Sequence, residues 1–326
     1  MDNLNLIILI SSVIAGAAPI VLASLGETIS EKAGVINLSL DGSILLSAMV
    51  SFVVAYQTHS ILLGFSAGAL AGGFIAALVA IFSIYLGQSQ VAVGFVLTLT
   101  AKDLAYFFGN PYSRLYGPQV GPIPIPLFQK IPFLGGVIFQ HSLPVYLSIL
   151  LIVTCWFYLY RTRQGLSLRA VGENPSAAYA RGISVRRTRL FYTIIGGMLI
   201  GLAGAAFSLC TKPGWGRPQG AEGTGWIALA LVIFGGWHPV RVASGAYLFA
   251  LLQVLGIHFQ GWLPSIPSQV FQVAPFPLMI FVLVITQSPS SGHGQAVTGS
   301  VTFLKKLLSS MSGRAPSSLG KPFFPG

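Results

Sequence analysis

Asp41, Lys102 and Asp103 stand inside long apolar stretches. There an ionisable side chain is expensive and is kept for a solute path, for proton movement or for a bond between helices. Thr98 and Thr100 add hydroxyls beside Lys102, and Asn37 puts an amide just ahead of Asp41. Lys102 and Asp103 are neighbours, so on a helix they face different sides and need different partners. Two uses remain open: a polar lining for a small solute, or interhelical bonding with Lys102 snorkelling outward. Trp226 offers an aromatic face that could stack on a solute or anchor at a membrane–water boundary. Glu27, Glu31 and Lys32 fall between the first two apolar runs and read as a solvated turn or a secondary partner contact.

The chain brings no covalent chemistry of its own. It lacks a GxxxxGK[ST] phosphate loop. The nearest string, GRAPSSLGKP, has six residues between its glycines and Pro322 where a hydroxyl is required. HExxH, GxSxG and paired-carboxylate patterns are absent, and the five histidines are scattered. His238, in a Gly-Trp-His-Pro break, reads as a turn or interface residue. Cys155 and Cys210 lie in apolar runs without metal-ligand spacing, so they read as small buried side chains. Energy for any vectorial work must come from a partner.

The elements that position these groups are membrane helices. Hydrophobic residues make up 54% of the 326 and charged residues 8%, and mean hydropathy is +0.77. A soluble chain carries about a quarter charged residues. The composition therefore defines an all-α polytopic membrane protein embedded in a lipid bilayer. Helix-length apolar runs occur at 5–25, 38–57, 61–86, 90–109, 143–160, 190–211, 240–258 and 268–287, with a shorter piece at 224–235. The expectation is about 8–10 transmembrane helices, broken or short around 224–240, where Gly235-Gly236-Trp237-His238-Pro239 ends the run. Transporters use such half helices beside their path; an ordinary short span accommodated by tilt or thinning is the alternative. The first run has no basic leader and reads as a retained span. AGAA at 15–18 and at 203–206 marks close helix packing rather than a repeat.

Residues 1–287 thus form the transmembrane domain. Segment 110–142, rich in Pro and Gly, is expected to be an irregular extracytoplasmic loop. The Ser/Gly/Pro-rich tail 288–326 is expected to be mostly disordered. The net charge of +11 is concentrated. Seven arginines lie in 161–189, and Lys305, Lys306, Arg314 and Lys321 lie in the tail. Positive-inside bias accounts for that pattern without nucleic acid, and it puts the 161–189 loop and the C-terminus in the cytoplasm.

That loop contains a short helix with well-defined ends. In NPSAAYARG, Asn174 is an N-cap, Pro175 suits the first helical position and Gly182 suits a left-handed stop. Glu173 and Arg181 complement the helix dipole. About seven residues are marginal alone, so Ala177, Ala178 and Tyr179 must pack on a partner or on the bundle.

RAVGENPSAAYARGISVRRTR, followed by GGMLIGLAGAAFSL, resembles the permease subunit of ATP-binding-cassette importers. LGETISEKAGVINLSLDGSILLSAM and GTGWIALALVIFGGWHP are similar to the branch that imports simple sugars and nucleosides. The resemblance implies that the loop helix is a coupling helix, with Gly172, Glu173, Asn174, Pro175, Ala178 and Gly182 at the matching positions. It further implies a cytoplasmic ATPase that holds the ATP and Mg, so this chain needs no cofactor of its own. A second permease, the same chain or a different one, and an extracytoplasmic solute-binding lipoprotein at a bacterial inner membrane complete the implied assembly. Asp41 stands where the family commonly has Glu, and Lys102 and Asp103 stand where Asn and small residues are usual. The solute could accordingly be a nucleoside, a simple sugar or a branched-chain amino acid. An ion-coupled secondary transporter using Asp103 is the reading from another class.

Overall fold

A computed structural model describes residues 6–124, 126, 134–262, 270, 277 and 313–324. The expected span at 268–287 and the tail between 288 and 312 lie outside these residues.

Among the described residues, seven helices are long and apolar enough to cross a bilayer. Helix α1 runs Leu6–Lys32, α2 Leu40–Thr58, α3 Ile61–Ala80 and α4 Gln90–Gly109. A five-residue helix α5, Leu134–Ile138, and a two-residue strand pair, Ile123–Pro124 with Gln140–His141, lie in the 110–142 loop. Then come α6 Leu143–Arg161, α7 Arg163–Glu173, α8 Pro175–Ala180, α9 Val185–Ala206, α10 Thr224–Phe234 and α11 Pro239–Trp262. Helices α3 and α9 each end in a π turn, Ile81–Tyr85 and Phe207–Thr211.

Helix α9 is the organising element because its small residues let other backbones touch it. Gly197 and Gly201 meet Gly72 and Gly68 of α3, Gly196 meets Gly26 of α1, and Gly204 meets Ile44 of α2. This is packing through small-residue stripes, the usual means of bringing membrane helices together. One apolar core gathers Leu45, Phe52, Ile200 and Trp215, and a second gathers Leu25, Leu168, Leu231 and Phe249.

Two helices start inside the bundle rather than at its surface. The chain leaves α1 at Lys32 and passes through a buried non-helical stretch. It enters α2 at Leu40, where Gly42 sits against the backbone of Thr98 in mid-α4. Helix α10 begins beside that same turn and ends near the C-terminal end of α1, where Trp237 bonds Glu31. Its eleven residues rise only about 16 Å. By length the short apolar piece is therefore a half helix, about half the roughly 30 Å of a bilayer core.

Glu27, Glu31 and Lys32 do not form a solvated turn. They are 0%, 3% and 9% exposed, because α1 continues seven residues past the expected end at 25 and is covered there. The Asn37 backbone N–H donates to Glu27 Oε1 (3.0 Å), the Trp237 indole donates to Glu31, and Gly172 packs on the Lys32 carbonyl. Trp237 holds a left-handed φ of +56°, uncommon for a bulky residue, and the indole bond to Glu31 keeps it there.

Candidate functional site

The residues singled out by type fall into two groups, one at the broken helices and one in the basic loop.

At the break, Asn37 organises the turn into α2. It is fully buried, and its Oδ1 accepts from the Ser39 backbone N–H (3.2 Å) and hydroxyl (2.5 Å). Thr98 pins α4 to the same stretch by donating to Leu38 O at 2.7 Å. Asp41 lies in the first turn of α2, and its Oδ1 accepts from the Gly225 N–H at 3.2 Å. A carboxylate on α2 thereby caps the N-terminus of α10, where open N–H groups and the helix dipole both favour negative charge. We expect Asp41→Ala to strand that buried N–H and lower stability by about 1–3 kcal/mol. Asp41→Asn, which keeps an acceptor, should lose much less. Thermal unfolding of the purified protein in detergent measures both; an Ala variant as stable as the parent would contradict the cap.

Lys102 and Asp103 separate as their adjacency requires. Lys102 is half-buried, and its charge acts on Asp41. Asp103 is exposed on the outer face of α4 with Leu99 and Phe107. Thr100 turns back to the carbonyl of Val96 in its own helix. Trp226, in the first turn of α10, packs on Phe95 with ring centroids 5.7 Å apart. Trp226 is thus beside the break, at the start of α10.

Glu222, which sequence reasoning did not single out, joins this group. Its carboxylate accepts from the Tyr106 hydroxyl and from the N–H groups of Gln219 (2.8 Å) and Gly220 (2.6 Å). Burial alone would raise its pKa, but those donors outweigh burial and hold it below the usual carboxylate range. Arg217 stacks over the Tyr106 ring at 4.9 Å. The only available signal was an acid two residues before a helix start. Two pairs, Phe95 with Trp226 and Tyr106 with Glu222, thus join α4 to the start of α10 and the segment before it, with Lys102 between them on α4.

In the basic loop, α8 has the ends its residues specify. Asn174 Oδ1 accepts from Ala177 N at 3.0 Å. Pro175 opens the helix, and Gly182 turns left-handed at φ +83°. The Ile183 N–H closes the helix on Ala178 O at 3.1 Å. Ser176, Ala177, Tyr179 and Ala180 face outward. Ala178, grouped with Ala177 and Tyr179 as a docking surface, faces inward instead. It is 3% exposed, against Val171, Val185 and Phe323. Gly172 is buried beneath the loop, and Glu173 accepts from Ser317.

Helix α7 was not anticipated in the sequence. Its signals were Thr162, whose Oγ1 accepts from Gly165 N at 3.0 Å, and the helical spacing of buried Gly165, Leu168, Val171 and Gly172. His238 stacks on Tyr160 at 5.1 Å. Burial first, then Arg241 and Lys32, hold its pKa below the ordinary value. It is a turn and interface residue.

Apolar helices broken inside the bundle, with polar and aromatic pairs at the break and a capped helix projecting from a basic loop, define a multi-pass membrane permease. The chain belongs to the family described as the permease component of the branched-chain amino acid transport system, which it matches over residues 9–283. It is 40% identical over 256 residues to the putative glucose ABC transporter permease protein TsgC13 of Haloferax volcanii, covering 77% of this chain and 78% of that one. It is 32% identical to the nucleoside ABC transporter permease protein NupC of Lactococcus lactis, covering 85% and 92%. It is also 32% identical to the guanosine ABC transporter permease protein NupQ of Bacillus subtilis, covering 87% and 93%. No solved structure matches. A permease of this family is not itself catalytic; ABC permeases work with an ATPase and a solute-binding protein.

Proposed function

We propose that this chain forms part of the translocation path of an ATP-driven importer for a nucleoside or a related small polar solute, and that it is driven through α8. The observation that carries this reading is the geometry of α8. A helix too short to persist alone is capped at both ends and fixed from beneath by Ala178, and among the described residues its outward side is exposed. A separate ATPase holding ATP and Mg takes that outward side. Gly172, Glu173, Asn174, Pro175, Ala178 and Gly182 then set the helix rather than meet the partner.

The seven arginines of 161–189 favour a cytoplasmic loop at a bacterial inner membrane. Exposed Asp103 on an apolar helix favours a second permease or a water-filled path against α4, since charged groups are not left facing lipid. A solute-binding lipoprotein serves the opposite side. The Phe95–Trp226 pair can stack on a planar base, and Lys102 and Glu222 supply hydrogen bonds. Two of the three relatives named above carry nucleoside or guanosine in their names, which supports the same solute class. The 40% identical glucose relative supports a sugar as the second reading, since aromatic faces also stack on sugars.

The test is uptake by the reconstituted complex with its ATPase and binding protein. ATP-dependent accumulation of labelled guanosine, blocked by unlabelled nucleosides, is expected. Accumulation of glucose alone would shift the solute to the second reading. Uptake driven by an ion gradient without ATP would overturn the proposal.

A further inference from the structure

The segment 313–324 was expected to belong to a mostly disordered tail, yet it is placed against the bundle under the basic loop. Its contacts are specific. The Ser318 N–H and Oγ both donate to Gly172 O, at 3.0 and 2.5 Å. The Ser317 N–H and Oγ both donate to Glu173 Oε2, at 3.2 and 2.9 Å. The Gly320 N–H donates to Gly34 O at 3.2 Å. Leu319 packs on the cluster of Val232, Trp237 and Val242. Phe323 lies against Val171, Ala178 and Val185, and its ring is 5.8 Å from that of Tyr179.

The anchor is Arg189. Its side chain is 2% exposed, in the second turn of α9. Nη1 donates to Lys321 O at 2.9 Å, and Nη2 donates to Ser318 Oγ at 3.1 Å. The tail thus supplies acceptors to a buried cation. A buried charge without its hydrogen bonds is strongly disfavoured. The bundle and the tail are therefore built for each other. Pro316 and Ser318 are buried in turn.

One short segment in this way joins three turns that are remote in sequence: α1–α2 at Gly34, α7–α8 at Gly172 and Glu173, and α10–α11 at Trp237. The first and third lead straight to the broken helices that meet at Asp41 and Gly225. The second carries α8.

We propose that residues 313–324 are a transmission strap, with Arg189 as its positioning residue, making α8 move as one body with the α1–α2 and α10–α11 turns. The strap completes the floor beneath α8 and gives a push on that helix a path to the half helix α10. This rests on the reading of α8 as the driven element, but the strap itself is read independently of any partner.

The test has two arms, each run on the full chain, on a variant ending at Ser312, and on Arg189→Leu, which removes the cation without opening a large cavity. The first arm is hydrogen–deuterium exchange of the permease in nanodiscs. Losing the strap should speed exchange at 33–38, 170–183 and 235–240 together, by about tenfold or more, the scale of one charged hydrogen bond. Arg189→Leu should deprotect 313–324 as well. A synthetic peptide of residues 313–326 added to the truncated chain should restore protection. The second arm is the ratio of labelled guanosine or glucose carried to ATP hydrolysed, in the complex with its ATPase. The truncated chain should still support hydrolysis, while that ratio falls about tenfold or more and recovers with the peptide. A loss of fold without coupling would not be rescued in this manner. Unchanged exchange at all three turns, or an unchanged ratio, overturns the strap. A full-length complex that carries neither solute with ATP overturns the proposed function, and exchange alone then decides the strap.

Discussion

Ala177→Glu should abolish ATP-driven uptake by weakening the hold on the ATPase, while the permease itself inserts and melts as the parent does. Ala177 is the third residue of α8 and faces outward. Its N–H is already held by Asn174 Oδ1. The Asn174 N–H is already held by Ala170 O, so a glutamate there disturbs no cap, and its charge lies at the favourable end of the dipole. The helix therefore keeps or gains stability. What changes is the outer surface, where an apolar partner groove would have to bury an unpaired carboxylate. Even a 2.8 kcal/mol penalty, at the low end for such burial, reduces a complex about 100-fold. The measurement is labelled-solute uptake beside a pull-down of the ATPase on the tagged permease. Normal uptake at normal assembly would remove α8 from the drive mechanism. Ala178→Asp is the contrasting variant. It sets a carboxylate among Val171, Val185 and Phe323, so it should lower loop stability as well as uptake.

Gly201→Leu should yield no monodisperse, folded permease. Gly201 is one of the points where α9 meets α3 backbone to backbone. A Cβ there would stand 2.9 Å from Ala69 Cα, besides meeting the carbonyl of Gly68. Those contacts are with main chain, which cannot turn aside as a side chain can. Adding methylenes to a packed core costs typically 1–3 kcal/mol when side chains can yield. Here two helices must separate along a seam that Gly72 and Gly197 continue. Size-exclusion chromatography in detergent and the melting temperature report the result. A symmetric peak within a few degrees of the parent would mean that the α3–α9 seam opens freely.

Most of the helical plan was legible because hydropathy encodes it directly. Seven of the expected spans are present, six of them within about five residues of their assigned limits and α1 running seven residues further. The α8 caps were legible because Asn174, Pro175 and Gly182 each have a local backbone reason to stand where they do. Burial at the end of α1 was not. Glu27, Glu31 and Lys32 look solvated from composition, and only the return of 33–39 into the bundle and the indole of Trp237 cover them. Ala178 was turned to the wrong side because a helix this short has too few residues to show a periodicity. Glu222, and the role of Asp41 as a cap, were hidden for a related reason. Their partners are backbone N–H groups at loop and helix starts, and those leave no mark in side-chain identity. The folded piece of the tail was masked by composition. Ser, Gly and Pro read as disorder, whereas here they supply hydroxyls, a left-handed turn at Gly320 and a rigid lead-in at Pro316.

The Arg189–Ser318 bond also sets an order of events during biosynthesis. The two residues are 129 positions apart, and chains grow at about 5–20 residues per second. On that scale the guanidinium stays without its tail acceptors for roughly 6–26 s after it is made. During that interval the underside of α8 is open, with Val171 and Ala178 still lacking Phe323. The floor on which α8 rests is thus completed only after residues 313–324 have been synthesised, and a chain interrupted before them leaves α8 without it.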